Sequence, residues 1–284
     1  MKRIKMYFTK YSPSGIEWVD DWTHADLIIE HYVRRDPELE MRISQKPYVL
    51  CFYCSEESRT LPEYHAYYQR LIGGAKWVYS YLPLAEEGFQ GNILRGPCGI
   101  DVNLFTPSPS KKLATKPITV VTTGYVAYTE GIDAMIAATQ LSGRLVHVGP
   151  GLEAEFGYDV GKLPHVRRLW QISDLELIEQ YRQAKYVSGL RRTEGFELPV
   201  LEGILCGARP ICFDLPVYRH WFNEFAIFVP EVAPNQLADI LAKIFLGPYR
   251  AVTQSEQEQV KQRFSWENVA RLFWTPFTAV QNLN

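Results

Sequence analysis

AKYVSGLRRTEGFELPVLEGILCGARPICFD, residues 184–214, reads as one strand, turn, helix and strand. KYVSGL and ARPICFD are short apolar runs, and LPVLEGILCG between them has the length and apolar content of a helix. Pro199 falls in the first turn of that helix, where its missing amide would be unpaired in any case. The backbone amides of about residues 196–200 therefore open toward the preceding loop, and the helix dipole there favours an anion. Two carboxylates bracket this helix start, Glu194 on the loop and Glu202 a turn inside, with seven residues between them and Gly195 and Phe196 after the first.

The same alternation runs outward in both directions. Before this unit come ITVVTTG, RLVHVGPG and HVRRLWQ as strands, with GIDAMIAATQLS and SDLELIEQYRQA as helices; after it, NQLADILAKIFLG and SWENVARLFWTPFTAV are amphipathic helices. An earlier series has KRIKMYF, ADLIIEHYV, KPYVLCFYC and AKWVYSY as strands and ESRTLPEYHAYYQRLIGG as a helix. Between the two series, TPSPSKKLATKP replaces the apolar pattern with Pro, Ser and Lys, which marks a linker over 106–117. Strands spaced by helices predict parallel sheets. The expected architecture is α/β, with two Rossmann-like domains, 1–107 and 108–265, an interdomain cleft, and a closing helix over 266–284 that crosses back to the first domain.

Composition narrows the function classes. Of 284 residues, 46% are hydrophobic and 22% charged, an ordinary globular balance that excludes a disordered or fibrous chain. The net charge is −2, and residues 1–105 carry 12 basic against 14 acidic side chains, so neither half is built to coat a polyanion. The basic cluster Arg34, Arg35 and Arg42 is the one local exception. The amino terminus lacks a signal-length apolar run and no stretch is long enough to span a bilayer, which predicts a cytoplasmic protein. Five scattered cysteines agree with reduced thiols. Cys51 and Cys54 form a lone C-x-x-C, but on a strand that spacing sends the side chains to opposite faces. The phosphate-loop, nucleophile-elbow, zincin and dinucleotide fingerprints are all absent, as is any D-x-D pair for a divalent metal.

At Glu194 and Glu202 the chain resembles the retaining glycosyltransferases of the GT-B fold, in particular glycosyltransferase family 4, whose signature is E-x7-E. GPCGIDVNLFTP (96–107), GYVAYTEGIDAMIAA (124–138), LVHVGPG (145–151), the stretch 166–190 and FSWENVARLF (264–273) are similar to successive segments of that family. The resemblance implies a metal-free enzyme without a cofactor, using a nucleotide sugar such as a UDP- or GDP-sugar as co-substrate. It implies that Glu194 contacts hydroxyls of the donor sugar, that Glu202 contacts the ribose, and that the leaving diphosphate rests on the amides around Gly195, Phe196, Glu197 and Leu198. The acceptor would be a glycan, lipid or small molecule.

Two departures stand out. Where the family carries Arg and Lys against the diphosphate, after Gly124, this chain has Tyr125 and Glu130. A carboxylate at the lysine position would repel phosphate, unless Tyr125 and Glu130 are simply solvated loop residues; Arg191 and Arg192 are the nearest replacement cations, of which a strand end sends one inward. The family's first-domain histidine is also missing from CFYCSEES (51–58). Trp170 and Gln171, at the end of a predicted strand, are placed to meet the nucleobase, and a core role for the indole is the alternative. Ser14 and Gly15 in SPSG (12–15) are candidates for the acceptor side, or else form a plain strand-to-helix turn. Two other functions fit the same residues: transfer of sugar to modified bases of DNA, as in compact viral enzymes, or nucleotide-sugar binding without catalysis.

Overall fold

A computed structural model describes residues 2–32, 37–53, 61–108 and 118–281. The 109–117 part of the linker, Arg34, Arg35 and Cys54 with the rest of the 54–58 stretch lie outside the described residues. The chain divides into two compact units. Unit 1 holds Met1–Gly99, Glu194–Phe196 and Arg263–Asn284; unit 2 holds Ile100–Thr193 and Glu197–Gln262.

Unit 1 is built on a four-stranded parallel sheet in the order β1-β2-β3-β4: β1 Ile28–Tyr32, β2 Tyr48–Phe52, β3 Val78–Ser80 and β4 Ile93–Arg95. Every residue of β2 is buried, as a strand covered on both faces requires, and this is why YVLCF reads as a continuous apolar run. Leu50 and Phe52 join a cluster with Tyr68, Leu71 and Ile72 of α3 (Pro62–Gly73). On the other face, Tyr79 of β3 meets Phe8 and Phe273 at ring-centroid distances of 5.9 and 5.6 Å.

Phe8 belongs to a helix, not to a strand. The segment read as the first strand, KRIKMYF, lies in α1 (Lys2–Lys10). Its letters satisfy both periods, since Ile4, Met6 and Phe8 alternate with Lys5 and Tyr7, while Ile4, Phe8 and Tyr11 recur at helical spacing. Met6 decides between them: on a strand it would be buried beside Phe8, yet it is 52% exposed. The helix is favoured because its partner is another helix. α11 (Trp266–Gln281) buries Trp266, Val269, Ala270, Phe273 and Trp274, one continuous face, and packs on α1. Phe8 stacks on Phe273 at 4.1 Å, Tyr7 stacks on Trp266 at 4.7 Å, and the Trp274 indole donates to the Phe8 carbonyl at 3.1 Å. SPSG therefore follows a helix and is not a strand-to-helix turn.

Unit 2 carries a six-stranded parallel sheet in the order β10-β9-β8-β5-β6-β7, made of β5 Thr119–Thr123, β6 Arg144–Val148, β7 Val166–Leu169, β8 Tyr186–Gly189, β9 Arg209–Phe213 and β10 Ile227–Val229. This is the doubly wound order, in which the chain reverses direction across the sheet between β5 and β8, so that the loops after these two strands diverge to opposite faces. α4 (Ile132–Ser142), α6 (Asp174–Gln183), α7 (Leu198–Cys206) and α9 (Pro234–Leu246) fall where the sequence pattern puts them. α6 opens on a capping box between Ser173 and Glu176. The pattern passed over α8 (Pro216–Phe222), β10 and α10 (Gln254–Phe264). α10 is only weakly apolar and is tied down by charge. Glu256 takes two hydrogen bonds from the fully buried Arg209, at 2.7 and 2.9 Å, and two more from the backbone and hydroxyl of Thr253.

Candidate functional site

The switch point of unit 2 gathers most of the residues singled out for the donor. β5 runs into Gly124–Glu130 and β8 runs into Leu190–Thr193, so Gly124, Tyr125, Glu130, Arg191 and Arg192 all lie beyond the carboxyl ends of the two central strands. α7 starts from the same end of β8 with Glu197 at its N-cap, and the Glu197 side chain does not cap its own helix.

Glu130 is not a solvated loop residue. It is 8% exposed, and its carboxylate accepts hydrogen bonds from the backbone amides of Tyr125 and Val126, the latter at 3.0 Å. The next amide, Ala127, donates to Glu155 at 2.8 Å. Three consecutive amides of the glycine loop are thus spent on acids of the chain itself. Gly124 makes this closure feasible: its φ is +152°, and a Cβ there would fall 1.7 Å from a Glu130 carboxylate oxygen.

The second oxygen of Glu130 pairs with Arg191 at 2.9 Å, and Arg191 also meets the buried Glu197 at 3.3 Å. One guanidinium is therefore shared between two buried carboxylates. Arg192 turns elsewhere, lying 4.0 Å from the Tyr128 ring centroid and 4.7 Å from that of Phe213, and pairing with Glu231 at 3.3 Å. Of the two cations, Arg191 faces Glu130 and Arg192 is packed between rings.

Glu202 sits half-buried on the second turn of α7, where the hydroxyl of Tyr181 donates to it at 3.0 Å. Burial, followed by the charge of Glu202, holds the Tyr181 phenol well above its ordinary range, so it stays a donor. Trp170, after β7, is 44% exposed and meets Tyr125, itself 67% exposed, edge to face at 5.8 Å. The two rings form an open aromatic corner. Gln171 follows in the left-handed region, with φ of +53°. Leu198 is exposed at the start of α7.

The first half of E-x7-E belongs to unit 1. Glu194 is half-buried, and a Cβ on Gly195 would lie 3.0 Å from Leu82 and 3.2 Å from Tyr81, so a side chain there would have to push these neighbours aside. The Phe196 ring packs 5.4 Å from Tyr81. Tyr81 continues a row that sequence reasoning missed: it stacks on Tyr53 at 4.7 Å, and Tyr53 lies 5.8 Å from His31. These side chains stand at the carboxyl ends of β3, β2 and β1. His31 Nδ1 is buried without a hydrogen-bond partner among the described residues, and the buried Tyr53 hydroxyl has the Cys51 thiol, a weak partner, beside it. Burial, reinforced by Lys5, lowers the His31 pKa to about 4, so its imidazole is neutral at pH 7. Nothing in the spelling of IIEHY distinguishes this histidine; alternation on β1 was the one available cue.

Ser14 and Gly15 are exposed in unit 1, and Gly15 lines a cavity of about 610 Å³ with Trp18 and Trp22. The described cysteines Cys51, Cys98, Cys206 and Cys212 are buried free thiols; burial pushes Cys51 and Cys206 up to about 12. Among the described residues no helix is long and apolar enough to cross a membrane.

No family model and no curated protein sequence matches the chain. Solved structures do. Sucrose-phosphate synthase from Thermosynechococcus elongatus is similar over 100% of this chain and 78% of its own, with a TM-score of 0.72 at 18% identity. A TarM variant from S. aureus, in complex with Fondaparinux, alpha-GlcNAc-glycerol and UDP, is similar over 85% of this chain at a TM-score of 0.66 and 11% identity. The pneumococcal O-GlcNAc transferase GtfA, in complex with UDP and GlcNAc, is similar over 86% at 0.59 and 14%. The chain spans about half the length of these last two, 54% of each. The fold is that of the GT-B glycosyltransferases, two parallel α/β sheets in one chain.

Proposed function

We propose that the protein is a retaining glycosyltransferase, similar to family 4, that moves a sugar from a nucleotide diphosphate sugar to an acceptor hydroxyl. The observation that carries this reading is α7. It is a helix that starts at the carboxyl end of β8, flanking the switch point, with Pro199 in its first turn and Glu202 held by Tyr181 one turn inside. Such a start offers backbone amides and the positive end of a helix dipole to a leaving diphosphate.

In this reading Glu194 binds hydroxyls of the donor sugar and Glu202 the ribose, while Tyr125 and Trp170 face the base. The glycine loop cannot serve the phosphates as long as Glu130 and Glu155 occupy its amides. The burden therefore moves to α7 and to Arg191, for which the diphosphate competes with Glu130 and Glu197. The departing phosphate takes the acceptor proton on the face it leaves, which gives retention without a protein nucleophile or a metal.

The test is incubation of the protein with a panel of UDP- and GDP-sugars, with and without chelator, followed by detection of free nucleoside diphosphate. Slow hydrolysis of one donor, unaffected by chelator, is expected. Donor binding without release of diphosphate would establish a binder instead, and a strict need for Mg²⁺ or Mn²⁺ would end the metal-free mechanism.

A further inference from the structure

The cavity of unit 1 is not lined by Tyr53, Tyr81 or Gly195. It is lined by the residues that lead into β1 and by β1 as far as Glu30, together with side chains from α1 and α11. In an all-parallel sheet that is the amino end of the strands, whereas Tyr81 and Gly195 meet beyond their carboxyl ends. At about 610 Å³ it has the size of a small-molecule site.

Three features of the lining point to one chemistry. First, Trp18, Trp22 and Trp274 bring indoles to it. Trp18 is fixed upright, edge to face on Trp274 at 6.2 Å with its N–H donated to Ser12 at 3.3 Å, yet it remains 39% exposed. Second, four carboxylates, the exposed Glu17, Asp20 and Asp26 and the half-buried Glu30, line it together with Lys5, Arg42 and His24. Glu30 is gripped by Arg42 through two guanidinium nitrogens, so its position is set in advance. Third, β1 is the end strand of the sheet, and an end strand leaves alternate N–H and C=O groups without ladder partners.

An excess of carboxylates over cations disfavours phosphate and sulfate esters. An organic cation would use the indoles and the carboxylates but leave the strand-edge N–H groups unused, whereas a sugar ring uses all three features. Its C–H face lies on an indole, its hydroxyls donate to carboxylates, and its oxygens accept from backbone amides.

We propose that this cavity is a second glycan site, which holds a neutral oligosaccharide. The inference that this oligosaccharide is the anchored, non-reacting part of a polymeric acceptor rests on the glycosyltransferase reading; its binding does not.

The test is titration calorimetry of the full chain with maltohexaose and chitotetraose as neutral probes, a heparin hexasaccharide as a polyanion and an extended Val/Thr octapeptide as a strand. At least one neutral oligosaccharide should bind, with affinity about tenfold weaker in Trp18→Ala and partly restored in Trp18→Phe, while donor hydrolysis is the same in all three proteins. Failure of both neutral probes, equal affinity in Trp18→Ala, or preference for heparin or the peptide would overturn the proposal. Absence of donor turnover in the wild type alongside Trp18-dependent sugar binding would instead defeat the glycosyltransferase reading and leave this site standing.

Discussion

At the carboxyl ends of the unit-2 strands, charge is abundant and already spoken for: Glu130, Glu155 and Glu197 take up loop amides and Arg191. At the carboxyl ends of β1, β2 and β3 in unit 1, polar atoms of His31 and Tyr53 are instead buried among aromatic rings, and His31 Nδ1 has no hydrogen-bond partner among the described residues. The first set resembles a lock closed by its own acids, the second an aromatic row whose polar atoms are poorly matched. The difference teaches that sequence signals for the two ends have different reach. Charges at a switch point declare themselves by type and spacing, whereas an unpaired imidazole is visible only after the strands are paired.

The largest expected effect would break the first half of the comparison. Read as a free anion near phosphate, Glu130 invites replacement by lysine to tighten nucleoside diphosphate binding. The structure reverses that expectation, because Glu130→Lys removes the acceptor of two loop amides and sets a second cation against Arg191. Breaking a buried pair costs about 3–5 kcal/mol, so the variant should unfold at markedly lower urea and bind nucleotide more weakly. Unchanged stability with tighter UDP or GDP binding would show that Glu130 is not the keystone of the loop.

Next come the two acids of the E-x7-E motif. If Glu194 binds the donor sugar as proposed, Glu194→Ala should lower transfer on the order of a hundredfold or more, because a charge-assisted contact that aligns the sugar would be lost. If Glu202 binds the ribose, Glu202→Ala should weaken donor binding roughly tenfold to a hundredfold with a smaller change in turnover, since such a contact is made equally in ground and transition states. Initial rates at varied donor concentration separate the two patterns. Wild-type turnover in Glu194→Ala would remove that residue from the site.

Acid titration probes the charge-locked unit further. Burial alone would raise the Glu256 pKa, but hydrogen bonds from Arg209 and Thr253 carry it down to about 2. A carboxylate with a depressed folded pKa contributes stability that is fully present above its unfolded value, near 4.5, and is lost as pH falls toward 2. Between those limits wild-type stability should fall more steeply with pH than that of Glu256→Gln, as followed by circular dichroism. Parallel slopes would mean that the Arg209 pair does not govern acid unfolding.

Much of the fold was legible because unit 2 is consistent at every level. SDLELIEQYRQA carries its own cap, the strands are short apolar runs, and Pro199 announces α7. KRIKMYF misled because seven residues satisfy both periods, and the deciding partner, α11, lies more than 250 residues away. β4, β10 and α8 are too short to show a period. Around the site, the sequence put Arg191 on the loop after β8 and Glu202 a turn inside α7, as the structure has them, but the ties of Glu130 to its own loop were not legible, because they depend on the bare backbone of Gly124.

The smallest effect sharpens the second half of the comparison. A buried hydroxyl left without a good hydrogen-bond partner costs up to about 1–3 kcal/mol, and among the described residues Tyr53 has only the weak Cys51 thiol beside the neutral His31. If that hydroxyl is kept for packing, removing it should be neutral or harmful to folding and irrelevant to function. If it is kept for a substrate hydroxyl, Tyr53→Phe should make the protein more stable and a poorer enzyme. Melting temperature should then rise by about 2–4 °C for each kcal/mol gained, while acceptor KM increases and hydrolysis of donor by water is unaffected. His31→Phe is the companion: the loss of a second unpaired nitrogen should raise the acceptor KM again, and the double variant shows whether the two groups act on one ligand. A melting temperature that falls in Tyr53→Phe, with acceptor kinetics untouched, would show that the aromatic row is packing alone.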